Sequence, residues 1–265
     1  MNPALNANIL DGPVLVIDVG GTHVKVQSES NLAKQGLHIE TGEAGPANPA
    51  ARNGSKDPIK IDSGKTLTAA MMVNAVRKAI TWPFAMVAMG YPGPVLHGRP
   101  VHEPANLGAG WVGFDFQREF GCPVKIINDA AMQALGSYQG GRMLFLGLGT
   151  GLGSTMIVDG MLEPMELAHL PYKKRRTYED YVGLRGLRRL GKKRWRREVN
   201  EVVAKLTAAL EPDYVVLGGG NSKYLKDLPA GVKLGANENA FLGGVRLWRG
   251  LGDVWNTKVV DAVTV

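Results

Sequence analysis

The stretch Val14–Val26, VLVIDVGGTHVKV, restricts the fold more than any other part of the sequence. Four apolar residues lead into Asp18, a Gly-Gly-Thr turn follows, and polar and apolar residues then alternate from His23 to Val26. Two glycines between apolar runs are typical of a tight β-hairpin. The same turn can bring backbone N–H groups against a phosphate, with the carboxylate left to face a cation. Taken alone, the stretch favours neither interpretation.

A second stretch, 143–160, repeats this pattern. Its two apolar runs are joined by Gly149, Thr150 and Gly151, and helix and strand patterns follow each copy along the chain. Because both turns combine glycine with a hydroxyl, the repetition indicates two related α/β lobes that each present one phosphate-binding hairpin to a shared cleft. The second copy therefore favours phosphate binding at the first.

The fold predicted from this repetition is α/β, with two lobes of mixed β-sheet flanked by helices and a cleft between them. We place the lobes at residues 1–127 and 128–265, and we expect a C-terminal helix at about 238–250 to pack on the first lobe. A chain of 265 residues is long enough for one large domain or two modest ones.

A loop and then a helix are predicted to follow the first hairpin. Residues 41–64 read as a long loop with one short strand at Ile59–Ile61. A helix is predicted to follow at about 66–81, capped by Asp62 or Ser63.

Composition restricts the class of protein. Cys122 is the one cysteine, so an intramolecular disulfide and a cysteine-rich zinc site are both excluded. We expect a cytoplasmic protein, because a reducing compartment suits this cysteine usage and neither a signal peptide nor a membrane span is apparent. The formal net charge of +7 favours an anionic partner such as nucleic acid, a nucleotide or polyphosphate.

Asn128 and Asp129 stand where a strand pattern, VKII, changes into an alanine-rich helix. An aspartate at such a place is usually the N-cap of the helix. It is also a place where α/β enzymes put catalytic groups. On local grounds the cap is the better interpretation.

Three polar side chains could contact a ligand such as a sugar. Asn106 lies in a glycine-rich loop with Trp111, although a turn asparagine and a core tryptophan are the more ordinary interpretation. Glu166 and His169 are spaced i, i+3, so they would share a face if this segment is helical. Their apolar neighbours favour a ligand-facing pair over the start of a surface helix.

Two further segments suit anionic ligands. Residues 173–197 hold twelve lysines and arginines against two acids, Glu179 and Asp180. Such a run is usually a solvated helix face, and the functional alternative is a track for a long anion. Gly218, Gly219 and Gly220 end an apolar strand and would let a ligand approach the backbone closely.

Taken in order, the motifs resemble the ROK family of sugar kinases, within the sugar kinase, heat-shock chaperone and actin superfamily. The resemblance rests on D-V-G-G-T (18–22), N-D-A (128–130), G-T-G-x-G (149–153), E-L-A-H (166–169) and G-G-G (218–220). The polyphosphate glucokinase branch is especially similar, through Y-E-D-Y (178–181), P-D-Y-V-V-L-G-G-G-N-S-K (212–223) and N-A-F-L-G-G-V (239–245). The resemblance implies two ribonuclease-H-like lobes.

It also implies roles for the matching positions. Asp129 resembles the general base that accepts the proton of the sugar hydroxyl. The residues that resemble sugar ligands are Asn106, Asn128, Glu166 and His169. Those that resemble the two phosphate sites are Asp18, Gly20, Gly21 and Thr22 and, in the second turn, Gly149, Thr150 and Gly151. Gly218, Gly219 and Gly220 resemble the adenosine-side loop.

The resemblance carries cofactor and partner expectations. Mg²⁺ is expected at Asp18, directly or through water, with ATP or polyphosphate as co-substrate and a hexose as acceptor. A homodimer is expected, since the family often dimerises. The cysteine-rich zinc motif of many members is missing, so zinc is expected to be absent. A second departure is Ala168, which stands where glycine is usual and is expected to shift His169 slightly.

The function predicted at this stage is transfer of a phosphoryl group to the 6-hydroxyl of glucose. Within the same class, the acceptor could be another hexose, such as mannose or an N-acetyl sugar. A basic nucleic-acid-binding protein is the alternative from another class. The absence of aromatic residues interleaved at base-stacking intervals argues against it.

Overall fold

The computed structural model describes residues 12–34, 57–236 and 238–250. The strands are β1 (Val14–Val19), β2 (His23–Ser28), β3 (Ile59–Asp62), β4 (Met86–Tyr91), β5 (Val95–Leu96), β6 (Arg99–Pro100), β7 (Val124–Asn128), β8 (Arg142–Leu148), β9 (Leu152–Val158), β10 (Met161–Met165), β11 (Tyr214–Gly218) and β12 (Val232–Leu234). The helices are α1 (Glu29–Lys34), α2 (Ala69–Ala79), α3 (Phe116–Phe120), α4 (Asp129–Ser137), α5 (Tyr178–Val182), α6 (Leu184–Leu210) and α7 (Asn239–Arg249), with a 3₁₀ turn at Ser222–Tyr224.

Two five-stranded sheets share one topology. The first has the order β3-β2-β1-β4-β7 and the second β10-β9-β8-β11-β12. In each, a three-strand antiparallel meander is extended by two parallel strands on the far side of its first strand. The repetition seen in the sequence is therefore a repetition of strand order, and the predicted α/β fold with mixed sheets is confirmed.

The first sheet is covered on both faces. Alternate residues of β1 point to opposite sides, so Leu15 and Ile17 pack towards α2 while Val14 and Val16 pack towards α7. At the far end of α7, the Trp248 indole N–H donates to the carbonyl of Val87 on β4. The C-terminal helix thus lies on the sheet that the N-terminal strands build.

Helices α4 and α7 cross at nearly bare backbone. A side chain on Gly243 would overlap the carbonyl oxygen of Met132, and one on Gly136 would overlap that of Asn239. The Arg246 guanidinium spans the same joint and donates to the carbonyls of Leu135, Gly136 and Tyr138 at the end of α4. Because α4 begins with Asp129, this joint fixes the axis that carries the predicted base.

Two local predictions near β3 fare differently. The strand predicted at Ile59–Ile61 is confirmed as β3. The predicted caps of α2, Asp62 and Ser63, are wrong, because α2 begins later and Thr68 accepts from the Met71 N–H. Most of the predicted loop 41–64 lies outside the described residues.

Helix α6 contains most of the basic run. At Gly191 the backbone adopts φ 70° and ψ 160°, which interrupts the helix, and left-handed φ values favour glycine. Beyond Gly191 the apolar side chains fall on one buried face; they are Trp195, Val199, Val202, Val203 and Leu206. The Trp195 indole N–H donates to the carbonyl of Val182 at 2.8 Å, which holds the helix against α5. None of the described helices has both the length and the apolar character needed to cross a membrane.

Candidate active site

Asp18 and Asp129 lie on either side of a glycine at the end of the first sheet. In the strand register, Asp18 on β1 is opposite Gly90 on β4, and Gly90 is opposite Ile127 on β7. A Cβ added to Gly90 would stand 3.5 Å from the Cα of Asp129 and would also meet the Met132 side chain. The missing side chain therefore lets the Met132 side chain and the start of α4 approach β4 closely.

The cap of α4 is Asn128, not Asp129. The Asn128 Oδ1 accepts from the N–H groups of Ala130 and Ala131 at 2.9 and 3.3 Å, and its Nδ2 donates to the Gly93 carbonyl at 3.1 Å. The Asp129 Oδ1 also accepts from the Ala130 N–H, at 2.8 Å. The local interpretation of Asp129 as the cap is thus wrong by one residue, and the second carboxylate oxygen of Asp129 is not used in capping.

The surroundings of Asp129 move its pKa close to neutral pH. Burial raises its pKa to about 7, and the negative charge of Asp18 adds to the rise. Burial also raises the pKa of Asp18, an effect opposed by Lys25, whose Nζ lies 3.4 Å from the Asp18 Oδ2. A carboxylate that titrates near pH 7 can accept a proton in one step and release it in the next, as a general base must.

The first glycine turn is braced from β3. The Gly20 N–H closes the hairpin on the His23 carbonyl at 3.1 Å, so Gly20 serves the shape of the turn. Ser63 donates its hydroxyl to the Gly20 carbonyl at 2.6 Å and its N–H to the Thr22 carbonyl at 3.0 Å. Gly21 and Thr22 remain exposed at the tip. Ser63, considered only as a helix cap in the sequence, instead supports this turn.

Asn106 lies beside the first turn, since a Cβ on Gly21 would be 3.2 Å from the Asn106 Cβ. Its loop is tied by Glu103, which accepts from the N–H groups of Trp111 and Val112 at 3.1 and 3.2 Å. Although desolvation opposes it, these N–H bonds lower the pKa of Glu103. Trp111 is fully buried, so the interpretation of it as a core residue is the correct one.

The second glycine turn meets the glycine triplet. The N–H of Asn221 donates to the Leu148 carbonyl at 2.9 Å, and its Nδ2 donates to the Gly149 carbonyl at 2.8 Å. The first N–H of α6, on Leu184, reaches the carbonyls of Gly149 and Thr150. Asn221, which follows the triplet in sequence, thus joins two predicted ligand segments and was not singled out as a site residue.

Glu166 and His169 lie in a turn after β10, so the condition for a shared helical face is not met. A Leu170 N–H bond to the Leu167 carbonyl closes the turn, which brings the His169 Nε2 to 3.9 Å from the Glu166 Oε1. Both side chains are largely exposed, at 67% for Glu166 and 73% for His169. The two side chains therefore approach each other across a turn, and their contact with a sugar stays a prediction.

A buried serine ties this turn towards Asp129. The Ser154 hydroxyl donates to the Met165 carbonyl at 2.9 Å and accepts from the Leu167 N–H at 3.1 Å, so it brackets Glu166. The preceding residue, Gly153, lies so close to the start of α4 that an added Cβ would reach 2.5 Å from the Ala130 Cβ. Strand β9 thus connects the Glu166 turn to the helix that begins with Asp129.

The basic run is only partly available to an external anion. Lys173 is held by Glu198 and Glu201, at 2.9 and 2.5 Å. Arg185 pairs with Glu179, at 2.6 Å. Most of the others are exposed; these are Lys174, Arg175, Arg176, Arg188, Arg189, Lys192, Lys193, Arg194 and Arg197.

A metal ion at this site would be held by the Asp18 carboxylate together with bound phosphates and water. Among the described residues, no cluster of three or more His, Cys, Asp or Glu side chains is placed to hold a metal ion. Mg²⁺ commonly binds through one or two carboxylates, substrate phosphates and water, and a buried carboxylate beside an exposed glycine turn fits that pattern. A groove of about 940 Å³ runs along the edge of β7, and neither Asp18 nor Asp129 lines it.

Comparison with known proteins identifies related sequences. Residues 59–163 match the model of the ROK family. A polyphosphate glucokinase from Mycobacterium tuberculosis is 30% identical over 147 residues, which cover 50% of this chain and 55% of that protein. The chain thus spans about half the length of the curated relatives it matches.

Solved structures match over a longer range. The inorganic polyphosphate/ATP-glucomannokinase of Arthrobacter sp. strain KM has a TM-score of 0.67 at 24% identity, over 90% of this chain and 99% of that one. A ROK family glucokinase from Streptomyces griseus, solved with glucose and AMPPNP, has a TM-score of 0.64 at 18% identity, over 90% and 99%. At these identities the likeness shows the fold. The resemblance to the ROK family drawn from the motifs is confirmed.

Proposed function

We propose that this chain, which carries a ROK family domain, is a sugar kinase that transfers a phosphoryl group from polyphosphate or ATP to the 6-hydroxyl of glucose. The observation that carries the proposal is the position of Asp129. Its carboxylate has a pKa of about 7 and lies beside Asp18, at the end of the sheet that also carries an exposed glycine turn.

In the proposed reaction, the chain positions the sugar and removes one proton. Asp129 accepts the proton of the attacking hydroxyl as its oxygen bonds to the terminal phosphorus of the donor. The bond from that phosphorus to the bridging oxygen breaks, and ADP or polyphosphate shortened by one phosphate leaves with that oxygen. A general base typically contributes about 10²- to 10⁴-fold in rate. The residues proposed to hold the sugar are Asn106, Asn128, Glu166 and His169. The free N–H of the Asn128 amide is its remaining donor, because its other groups cap α4 and bind Gly93.

The donor is proposed to lie between the two glycine turns. Gly21 and Thr22 supply N–H and hydroxyl donors in the first turn, with Gly20 shaping it, and Gly149, Thr150 and Gly151 form the second. Gly218, Gly219 and Gly220 would contact the nucleoside when ATP is the donor. Asp18 would hold Mg²⁺, which neutralises phosphate charge when bound.

Lys25 should matter for the donor although no motif pointed to it. It lies directly opposite Asp18 on β2, and its ammonium is 3.4 Å from the Asp18 carboxylate. Lys25→Met should lower kcat/KM for the donor about 10- to 100-fold, which is the worth of one charge-assisted hydrogen bond. Steady-state kinetics with varied donor measure this. Lys60→Met, next in the same cross-strand row but exposed, is the control and should stay within twofold.

Polyphosphate is the proposed preferred donor because the exposed part of the basic run suits a long anion. The KM for polyphosphate should rise steeply with salt and the KM for ATP much less, since more counterions are released by the longer anion. Neutralising two exposed residues one turn apart, Lys193→Gln with Arg197→Gln, should flatten the polyphosphate response. The pair Lys78→Gln with Lys226→Gln, outside the run, should leave it steep. A salt response equal for both donors would contradict this role.

The experiment that tests the proposed function is a two-way panel. Glucose, mannose and N-acetyl sugars are each combined with ATP and with polyphosphate, with Mg²⁺, and sugar phosphate is measured. Glucose phosphorylation supports the proposal, and turnover of another hexose alone would reassign the acceptor. No turnover, together with a gel shift on nucleic acid at physiological salt, would favour the nucleic-acid-binding alternative.

Other expectations belong to the same proposal. We propose the division into lobes at residues 127 and 128, a homodimer, and a cytoplasmic location. Sedimentation of the purified chain tests the dimer.

A further inference from the structure

Lys173, in the basic run, has an ammonium group that is bound by two carboxylates of the same chain. Its ammonium contacts the carboxylates of Glu198 and Glu201, both on α6, and stands 4.7 Å from the centre of the Tyr172 ring. The Tyr172 hydroxyl donates to the same Glu198 carboxylate, at 3.0 Å. These hydrogen bonds raise the pKa of Lys173, so the ammonium stays charged at neutral pH. We call Tyr172, Lys173, Glu198 and Glu201 the lysine clasp.

The clasp lies at the end of the loop that follows His169. Residues 171–177 form a closed loop, with a bridge between Pro171 and Thr177 and a bond from the Tyr172 N–H to the Arg176 carbonyl at 2.7 Å. Within it, Lys174 and Arg175 adopt left-handed φ values of 51° and 56°. The tip is therefore a tight basic turn with Lys173 at its start.

The base of this loop is bonded directly to the turn that carries Glu166 and His169. The Glu179 N–H donates to the Ala168 carbonyl at 3.0 Å, and the Tyr178 N–H donates to the Leu170 carbonyl at 3.1 Å. On its other side, the same turn depends on Ser154. Glu166 and His169 are themselves exposed, so their direction is set by these two attachments rather than by packing around the side chains.

We propose that the lysine clasp positions Glu166 and His169 for the sugar, with Lys173 as a positioning residue that anchors their turn to α6. The inference rests on the proposed sugar site. It separates Lys173 from the rest of the basic run, because an ammonium satisfied by two carboxylates is poorly placed to receive a donor phosphate.

Lys173 can hold the loop against α6 because its positive charge lies between two carboxylates. Glu198 is 16% exposed and Glu201 42%, so without the ammonium two carboxylates would repel each other beside Tyr172. Lys205 reaches only one of them, at 3.8 Å from Glu201. Loss of Lys173 should therefore release the loop from α6.

The test compares Lys173→Met with Lys173→Arg, which retains a cation, and with Lys226→Met, an exposed lysine outside the run. Glucose binding is measured by calorimetry without donor, and amide hydrogen exchange is followed across residues 166–179. Lys173→Met should weaken glucose binding about three- to tenfold and speed exchange in this segment. Lys173→Arg should keep most of the parent's glucose affinity and exchange protection, and Lys226→Met should change neither quantity.

Two further measurements distinguish positioning from a general loss of structure. The KM for the donor should stay within twofold in Lys173→Met. Salt should weaken glucose binding by the parent, because it screens the partly exposed contacts of Lys173 with Glu198 and Glu201. Lys173→Met has lost these contacts, so its glucose binding should depend less on salt. If Lys173→Met does not fold, Glu201→Gln, which leaves the contact with Glu198, is measured in its place.

The outcomes separate this inference from the proposed function. Unchanged glucose binding and exchange in Lys173→Met would overturn the inference, as would an equal loss in Lys226→Met. A parent that binds glucose but transfers no phosphoryl group would refute the kinase proposal, while the binding and exchange data would still decide the clasp. A parent that binds no hexose of the panel would overturn both.

Discussion

Asp129→Asn is expected to lower kcat by about 10²- to 10⁴-fold while glucose binding stays within a few-fold of the parent. The amide keeps the size of the side chain and an oxygen for the Ala130 N–H, so the start of α4 should be preserved. It loses the capacity to accept the hydroxyl proton. A coupled assay of sugar phosphate measures the first effect and calorimetry with glucose the second. Glu163→Gln, an exposed acid-to-amide change on β10, is the matched control.

The same variant should be more stable than the parent at alkaline pH. The pKa of Asp129 is about 7 in the folded chain and 3.8 in the reference state, so the folded state binds a proton that the unfolded state has already released. Stability is therefore lost as pH rises from about 4 through about 7. Asp129→Asn removes this loss, worth about 1–4 kcal/mol at pH 8, and the gain should fade towards pH 4.

Thermal unfolding at pH 5 and pH 8 measures that difference. The parent's kcat/KM should rise with pH and level off above about 7, because the ionised form of Asp129 is the base. Turnover of Asp129→Asn close to that of the parent would remove Asp129 from the mechanism. A variant that is inactive but no more stable at pH 8 would contradict the raised pKa of Asp129 and leave its role as the base to the loss of turnover alone.

Much of the fold could be read from the sequence because local patterns and global topology agree. The two glycine hairpins each initiate a sheet with the same strand order. Strand β3 and the apolar face of α2 follow from alternation and helical spacing. The proximity of Asp18 to Asp129 follows from parallel strands, whose carboxyl ends meet at one edge of a sheet.

The errors come from patterns that two structures satisfy equally. Asn128 and Asp129 are both good caps, and the choice depends on β7 extending one residue further than the apolar run. The spacing of Glu166 and His169 suits a helix, but a single tight turn gives the same separation. In each case two local structures fit the same pattern, and a more distant contact accompanies the one that forms: Asn128 donates to Gly93, and Ser154 bonds on both sides of Glu166.

The roles that the sequence did not predict are those that depend on partners far along the chain. Ser63 contacts Gly20, 43 positions away. Lys173 meets α6, and its partner Glu201 is 28 positions along the chain. In the sequence, Lys173 is one of twelve similar charges, and only the folded chain distinguishes the one held by two carboxylates.

The joint between α4 and α7 has the largest expected effect on stability. In an exposed helix, replacing glycine with alanine stabilises by about 1 kcal/mol. At Gly243 the added methyl would overlap the Met132 carbonyl and stand 2.9 Å from the Gly136 nitrogen, and both are backbone atoms that no rotamer change can move. The helices must separate, which costs about 1–3 kcal/mol in packing and more where backbone shifts.

We therefore expect Gly243→Ala to destabilise the protein by about 2–4 kcal/mol net. The control is Asn74→Ala, at an exposed position on α2, which should increase stability because alanine is the better helix former. Denaturant unfolding of the two variants measures the contrast. Because α4 begins with Asp129, the displaced helix should also lower kcat at temperatures where Gly243→Ala is still folded, since small displacements of a catalytic group are costly. Equal stability of the two variants would mean that the helices separate freely. In that case the joint could not be what holds Asp129 beside Asp18.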